Sequence, residues 1–307
     1  MLNQPAFEAS VRAKQELLEQ GFCKLSNILH PQGLLQILLG ASRLELAACD
    51  SLREYLNKAD PKPRASTVLG TVSFNDDKQV QQIQSLLRLD LDGAGVFKTL
   101  ANDLTPLLAF LLGVTEGELD VCATLYEHHR SDPECCFSQD NICTNLQNGQ
   151  ELVVAHILLD THMDSSSNFK FVQYSHLLPT LEHTSDYRGS FRVQENCVPG
   201  YPSRLNYIRD RDATSVDTLG GDLLVHLGTT IYKPFSYSPG GTGRSRRVTF
   251  WATARTPLRC KLLIDEAERR LSCSVSMIEK DDPSLYEKVK GFVYGGSVTI
   301  DVALPLK

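Results

Sequence analysis

The sequence predicts a mainly β protein, an antiparallel sandwich or barrel preceded by a helical first third. Two observations carry this expectation. Up to about residue 115 the apolar positions recur at helical spacing. Beyond it they gather in short runs rich in β-branched and aromatic residues, divided by polar or glycine turns, with no helical pattern between them. Strands that follow one another without crossover helices bury their apolar faces by closing into sandwiches or barrels.

The elements follow in order. Phe7, Val11, Lys14 and Leu18 fall at helical spacing, and Gly21 ends the pattern as a C-terminal cap. Residues 21–29 (GFCKLSNIL) read as a strand. His30-Pro31 opens a second helix, with Leu34, Leu35, Leu38 and Leu39 expected on its buried side. From 50 to 92 the pattern is weak, with a loop at 59–64 and a helix expected over 77–87. Residues 100–112 form a strongly apolar helix in which Pro106 must lie in the first turns or cause a kink, and Gly113 closes it. Strands are expected at 121–126, 152–159, 169–174, 223–227 and 248–254. The last fifty residues add a strand at 258–264, a helix at 283–290 and an alternating SVTIDVALPL.

The chain as a whole suits one domain over 1–307: helical support at 1–115, a β core at 116–256 and a C-terminal extension at 257–307. Its 307 residues, 42% of them hydrophobic, can build a sizeable core. The net charge of −6, with no Lys/Arg block, argues against a nucleic-acid partner. Glu8, Arg12 and Lys14 interrupt the start, which is not a secretory signal. The longest apolar run, 106–114, is about half of what a membrane span requires. Nine cysteines without a regular framework point to reduced thiols, so the expected location is cytoplasmic, with no membrane partner.

Three constellations could carry chemistry. In SPGGTGRSRR, Gly240, Gly241 and Gly243 precede Arg244, Arg246 and Arg247. A guanidinium at the start of a barrel strand can hold a dicarboxylate through paired, charge-assisted hydrogen bonds. The same residues also read as a hairpin with solvated arginines. His128, His129, Cys135, Cys136 and Cys143 are metal-capable but lack the paired spacing of a zinc site. His162-Met163-Asp164, with His226 as a third ligand, would complete a 2-His-1-carboxylate set on paper, but the pattern is short.

Four blocks in order resemble the phytanoyl-CoA dioxygenase family of Fe(II)/2-oxoglutarate-dependent oxygenases. They are LEQGFCKLSNIL, CATLYEHHRSDPECCFSQDN, VVAHILLDTHMDSSSNFKFVQYSHLL and GGDLLVHLGTTIYKPFSYS with RSRRVTFWA, together spanning about residues 15–255. The third block is the most specific, with Leu159-Asp160 and Tyr174-Ser175-His176 in register around the turn at 165–168. The resemblance implies a double-stranded β-helix, a jelly-roll or cupin-like barrel of two facing sheets buttressed by N-terminal helices. It also implies a site. Ser138-Gln139-Asp140 falls on the family's His-x-Asp, Tyr232 on its distal histidine, and Arg246 or Arg247 on its 2-oxoglutarate arginine. His176 falls on a structural hydrogen-bonder, and His162-Met163-Asp164 on a loop between strands.

Only the carboxylate of the family's iron triad is then kept. A serine hydroxyl is a poor ligand for Fe(II), and a phenol with a pKa of about 10 binds well only as phenolate. The expectation is a protein without metal at those positions, with Asp140 and Tyr232 as catalytic candidates and Arg246 or Arg247 binding a carboxylate. It would run isomerase, cyclase or lyase-type acid–base chemistry on a small molecule, or hold an inactive pocket. One alternative is an oxygenase that uses Fe(II) and 2-oxoglutarate to hydroxylate a small molecule, its ligands drawn from His128, His129, His162, Asp164 or His226. Another is a non-catalytic binding or scaffold protein, as a homodimer or paired with a related oxygenase. Within its strand His226 shares a side with Leu224 and Gly228 and is expected to be a hydrogen-bonded core or surface histidine.

Overall fold

A computed structural model of the chain describes residues 1–3, 7–56, 72–74, 79–84, 86–89, 91–128, 137–140, 152–159, 169–178, 181, 183–185, 191–193, 213–234, 245–254, 293–294 and 297–300. The helices are α1 (Phe7–Gln20), α2 (Pro31–Leu56) and α3 (Gly95–Leu112). The strands are β1 (Phe22–Leu25), β2 (Val72–Phe74), β3 (Val80–Ile83), β4 (Leu119–His128), β5 (Leu152–Leu158), β6 (Phe169–Phe171) and β7 (His183–Ser185). They continue as β8 (Phe191–Val193), β9 (Thr214–Val216), β10 (Leu223–Leu227), β11 (Tyr232–Lys233), β12 (Ser245–Ala254), β13 (Val293–Tyr294) and β14 (Ser297–Ile300).

A major sheet runs β1-β10-β5-β12-β4-β3-β2-β14-β13, and a minor sheet runs β11-β6-β9. All of these neighbours pair antiparallel. Strand alternation divides the major sheet into two faces. Val153, Ala155 and Ile157 of β5 and Val248, Phe250 and Ala252 of β12 lie in one core with Ile37 and Leu44 of α2 and Phe97, Leu104 and Leu108 of α3. On the other face, Leu158 and Leu224 join Phe22 of β1 and the minor-sheet side chains Phe169, Phe171 and Tyr232. The helices thus cover one side, and the two sheets enclose an interior on the other. This is a double-stranded β-helix, the architecture expected from the sequence.

The helix faces differ from the sequence expectation. α1 buries Ala13 and Leu17, while Val11 and Leu18 are 42% and 52% exposed. Lys14 fits the apolar pattern for another reason: its Nζ donates to the Phe110 carbonyl at 2.7 Å, satisfying the C-terminal end of α3. α2 buries Ile37, Ala41, Leu44 and Ala48, whereas Leu35 and Leu39 stay 57% and 53% exposed. A long helix rich in leucine offers more than one apolar stripe, and packing selects among them. The helix expected over 77–87 is instead β3 followed by a 3-10 turn at Leu86–Arg88. The open edge of β4 recruits Gln82 and Ile83 into a ladder, overriding local propensity. The expected elements at 258–264 and 283–290 lie outside the described residues.

α3 starts five residues earlier than expected, at Gly95, and is long and apolar enough to cross a membrane. Its buried residues, among them Phe97, Leu100, Leu104 and Leu108, pack in the domain core. Gly113 closes it in the left-handed region at φ 79°. Pro106 therefore sits mid-helix on the exposed side, where it removes a ladder hydrogen bond. Pro106→Ala is expected to raise stability by about 1–3 kcal/mol, less than the full interior proline cost because the unfolded chain gains freedom. Urea denaturation checks this; an unchanged or lower midpoint refutes it.

Candidate active site in the barrel interior

Register places the interior side chains. Leu224 of β10 pairs with His156 of β5, and His156 pairs with Thr249 of β12. Arg247 pairs with Leu158 on one side and with Tyr126 of β4 on the other. Directly paired residues point to the same face, as do residues two apart along a strand. His226, two residues from Leu224, therefore joins His156, Thr249 and Arg247 on the inner face. Tyr232 faces them from the minor sheet, paired with Phe171.

A short segment delivers the carboxylate. Ser138 and Tyr232 form an antiparallel bridge, Ser138 N to Tyr232 O at 2.9 Å and Tyr232 N to Ser138 O at 3.0 Å. Buried Gln139 anchors the segment, donating from Nε2 to the Thr229 carbonyl at 2.6 Å and accepting from the Leu181 amide at 2.8 Å. Asp140 then accepts from the Tyr232 hydroxyl at 3.3 Å. Its second oxygen lies 3.5 Å from His226 Nε2. His226 Nε2 is 3.1 Å from His156 Nε2.

The outer ring nitrogens are also engaged. His226 Nδ1 lies 2.9 Å from the Leu227 carbonyl, and His156 Nδ1 lies 2.9 Å from Thr249 Oγ1. Both histidines are buried. Burial pushes His226 down to about 4, the Leu227 carbonyl opposing and Arg247 adding to the fall. His156 is held well below the usual histidine range by burial, then by His226 and Arg247. Both are neutral at pH 7, so the contact between His226 and Asp140 is not an ion pair. Since a carbonyl can only accept, neutral His226 carries its proton on Nδ1 and turns the Nε2 lone pair inward.

Arg247 is 5% exposed, its guanidinium 4.6 Å from the Tyr126 ring centre and 5.6 Å from that of Phe169. Arg246 points the opposite way, Nη1 donating to Ser42 Oγ of α2 at 3.1 Å. Of the two arginines the sequence leaves open, Arg247 is the one that faces the interior. The rest of the interior is aromatic: Tyr232 lies 4.4 Å from His226 and 6.0 Å from Phe171, centre to centre. His176 is buried elsewhere, its Nε2 donating to the Leu18 carbonyl at 3.0 Å, and holds the end of α1.

Ser138, Asp140, Tyr232 and Arg247 are thus brought to one interior, and Arg246 is not. His128 ends β4 opposite Ser245. Arg244, His129, Cys135, Cys136, Cys143, His162 and Asp164 lie outside the described residues. His156 was not singled out from the sequence. Its one signal is a histidine inside the apolar run LVVAHIL, whose facing cannot be read until β5 is paired with β10. At the positions where the resemblance would place the iron ligands, the donors are a neutral hydroxyl, a carboxylate and a phenol bonded to that carboxylate. That set does not fit Fe(II).

No family model and no curated protein matches the chain. Solved structures do. EctD from S. alaskensis, determined with 2-oxoglutarate and 5-hydroxyectoine, matches at TM-score 0.56 and 13% identity, over 82% of this chain and 79% of that one. EvdO2 from Micromonospora carbonacea var. aurantiaca matches at TM-score 0.54 and 14% identity, over 83% and 93%. SnoN, a non-heme α-ketoglutarate-dependent epimerase from nogalamycin biosynthesis, matches at TM-score 0.50 and 17% identity, over 81% and 84%. The chain shares the fold of these proteins.

Proposed function

We propose that the protein is a small-molecule enzyme of this fold that has given up the inherited iron position and anchors a carboxylate-bearing ligand of the 2-oxoglutarate kind on Arg247. The observation that carries the reading is a guanidinium buried between aromatic faces on the inner side of β12, across the interior from Tyr232 and Asp140. A fixed cation in a low-dielectric interior favours an anion, and the fork geometry of arginine suits a carboxylate. SnoN and EctD, which share the fold, have each been solved with this keto acid.

Tyr232 and Asp140 then form a proton-transfer pair beside the bound molecule, the phenol donating and the carboxylate accepting. Such a pair suits isomerisation, cyclisation or elimination. A thermal-shift titration of metal-free protein with 2-oxoglutarate tests the anchor. A rise in melting temperature supports it, because a ligand of the native state stabilises by mass action, about 2.7 kcal/mol at a hundredfold excess over Kd. No rise at millimolar ligand overturns it. A protein that binds without turnover shares Arg247 and differs at Tyr232, where Tyr232→Phe would change no reaction.

A further inference from the structure

We propose that Asp140, His156 and His226 bind a divalent transition-metal ion, in a centre built on β5 and β10 instead of at the inherited positions 138 and 232. The proposal goes beyond the reading above: it does not depend on Arg247, and in the metal-bound state it makes Asp140 a ligand in place of the proton acceptor given there.

Geometry is the first support. One ligand atom from each residue lies within 4.8 Å of the other two. The two contacts centred on His226 Nε2 measure 3.1 Å, to His156 Nε2, and 3.5 Å, to Asp140 Oδ2. Ligands about 2.0–2.1 Å from a metal at octahedral or tetrahedral angles lie about 2.8–3.4 Å apart, so these edges already have nearly the required length. The third edge, between His156 and Asp140, is no longer than 4.8 Å. Two neutral imidazoles and one carboxylate on one side of the ion form the facial set that leaves further positions open to other ligands.

The outer nitrogens are the second support. A metal-bound histidine typically donates its remaining N–H to a carbonyl, carboxylate or hydroxyl that fixes the ring. His226 has the Leu227 carbonyl in that place, and His156 has Thr249 Oγ1. The tautomer of His156 separates the two states of the cluster. Without metal, its Nε2 must donate to the inward lone pair of His226, so its Nδ1 accepts from Thr249. With metal, its Nε2 is a ligand and its Nδ1 donates to Thr249 instead. Asp140 is then a ligand, and Tyr232 alone remains to donate a proton next to it.

Chelator-treated protein titrated anaerobically with Co(II) should bind one equivalent with a visible ligand-field spectrum. His156→Ala and His226→Ala should each weaken binding by at least about 100-fold, and Ser138→Ala should not. Zn(II), added to protein labelled with nitrogen-15 in its histidines, should move the His156 proton from Nε2 to Nδ1, a readout that stands even if a histidine variant fails to fold. Absence of Co(II) binding at millimolar concentration, binding that survives both histidine changes, or an Nε2-protonated His156 in the presence of Zn(II) would each overturn the proposal. Protein that binds Co(II) but shows no 2-oxoglutarate shift sinks the Arg247 reading alone, and the reverse result sinks the metal centre alone.

Discussion

If 2-oxoglutarate raises the melting temperature as proposed, Arg247→Met is expected to abolish the rise and Arg246→Met to leave it intact. The two residues are adjacent, and strand alternation sends them to opposite faces of β12. Arg247 is buried between the Tyr126 and Phe169 rings, whereas Arg246 bonds Ser42 of α2. Methionine keeps much of the length and apolar stem of arginine and removes the charge and the donors. At position 247 the loss should be complete, corresponding to about 2–5 kcal/mol of binding, the range for removing one partner of a buried, hydrogen-bonded charge pair. At position 246 the variant should instead lower the melting temperature of the unliganded protein, by loss of a charged hydrogen bond worth about 1.5–3 kcal/mol. Equal ligand responses in the two variants would remove Arg247 from the site.

Gly21→Ala should be among the most damaging single-methyl changes in the molecule, costing about 2–6 kcal/mol. Gly21 ends α1 at φ 90°, and a Cβ there would lie 2.5 Å from His176 Nδ1 and 2.8 Å from Thr230 Oγ1. The backbone conformation alone costs about 1–3 kcal/mol for a residue with a side chain, and forcing extra volume into a packed site about 1–3 more. Its carbonyl also accepts from the Leu227 amide at 3.0 Å and from Thr230 Oγ1 at 2.7 Å, so the junction has little room to shift. The next residue, Phe22, stacks on Phe171 at 4.6 Å, so the damage should reach the barrel interior. In denaturant titrations His176→Ala should be destabilising alone, yet cost less in the Gly21→Ala background, because the clashing ring is gone. Additive effects would show that the contact is not what makes this position intolerant.

The local features were legible in the residues. Gly21 and Gly113 end helices as their positions suggested, and strands β4, β5, β6, β10 and β12 each overlap a run of β-branched and aromatic residues. The resemblance in the four blocks anticipated the two-sheet barrel, with Ser138, Asp140 and Tyr232 in one place. These signals are short in range, arising from conformational preferences within a few residues of chain or from motif order.

What sequence order left open depended on long-range pairing. A one-residue change of register would turn Arg246 inward and Arg247 outward, since side chains alternate with a period of two. His156 and His226 are separated by seventy positions, and only the ladder through Leu224 brings their Nε2 atoms to 3.1 Å. The buried stripes of α1 and α2, and the conversion of 80–83 to a strand, were likewise settled by what each segment packs against. The sequence by itself determined that a barrel would form and, through the resemblance, drew attention to Ser138, Asp140 and Tyr232. The tertiary structure decided which arginine and which histidines face inward, because facing is set by hydrogen-bonded register between strands far apart in the chain.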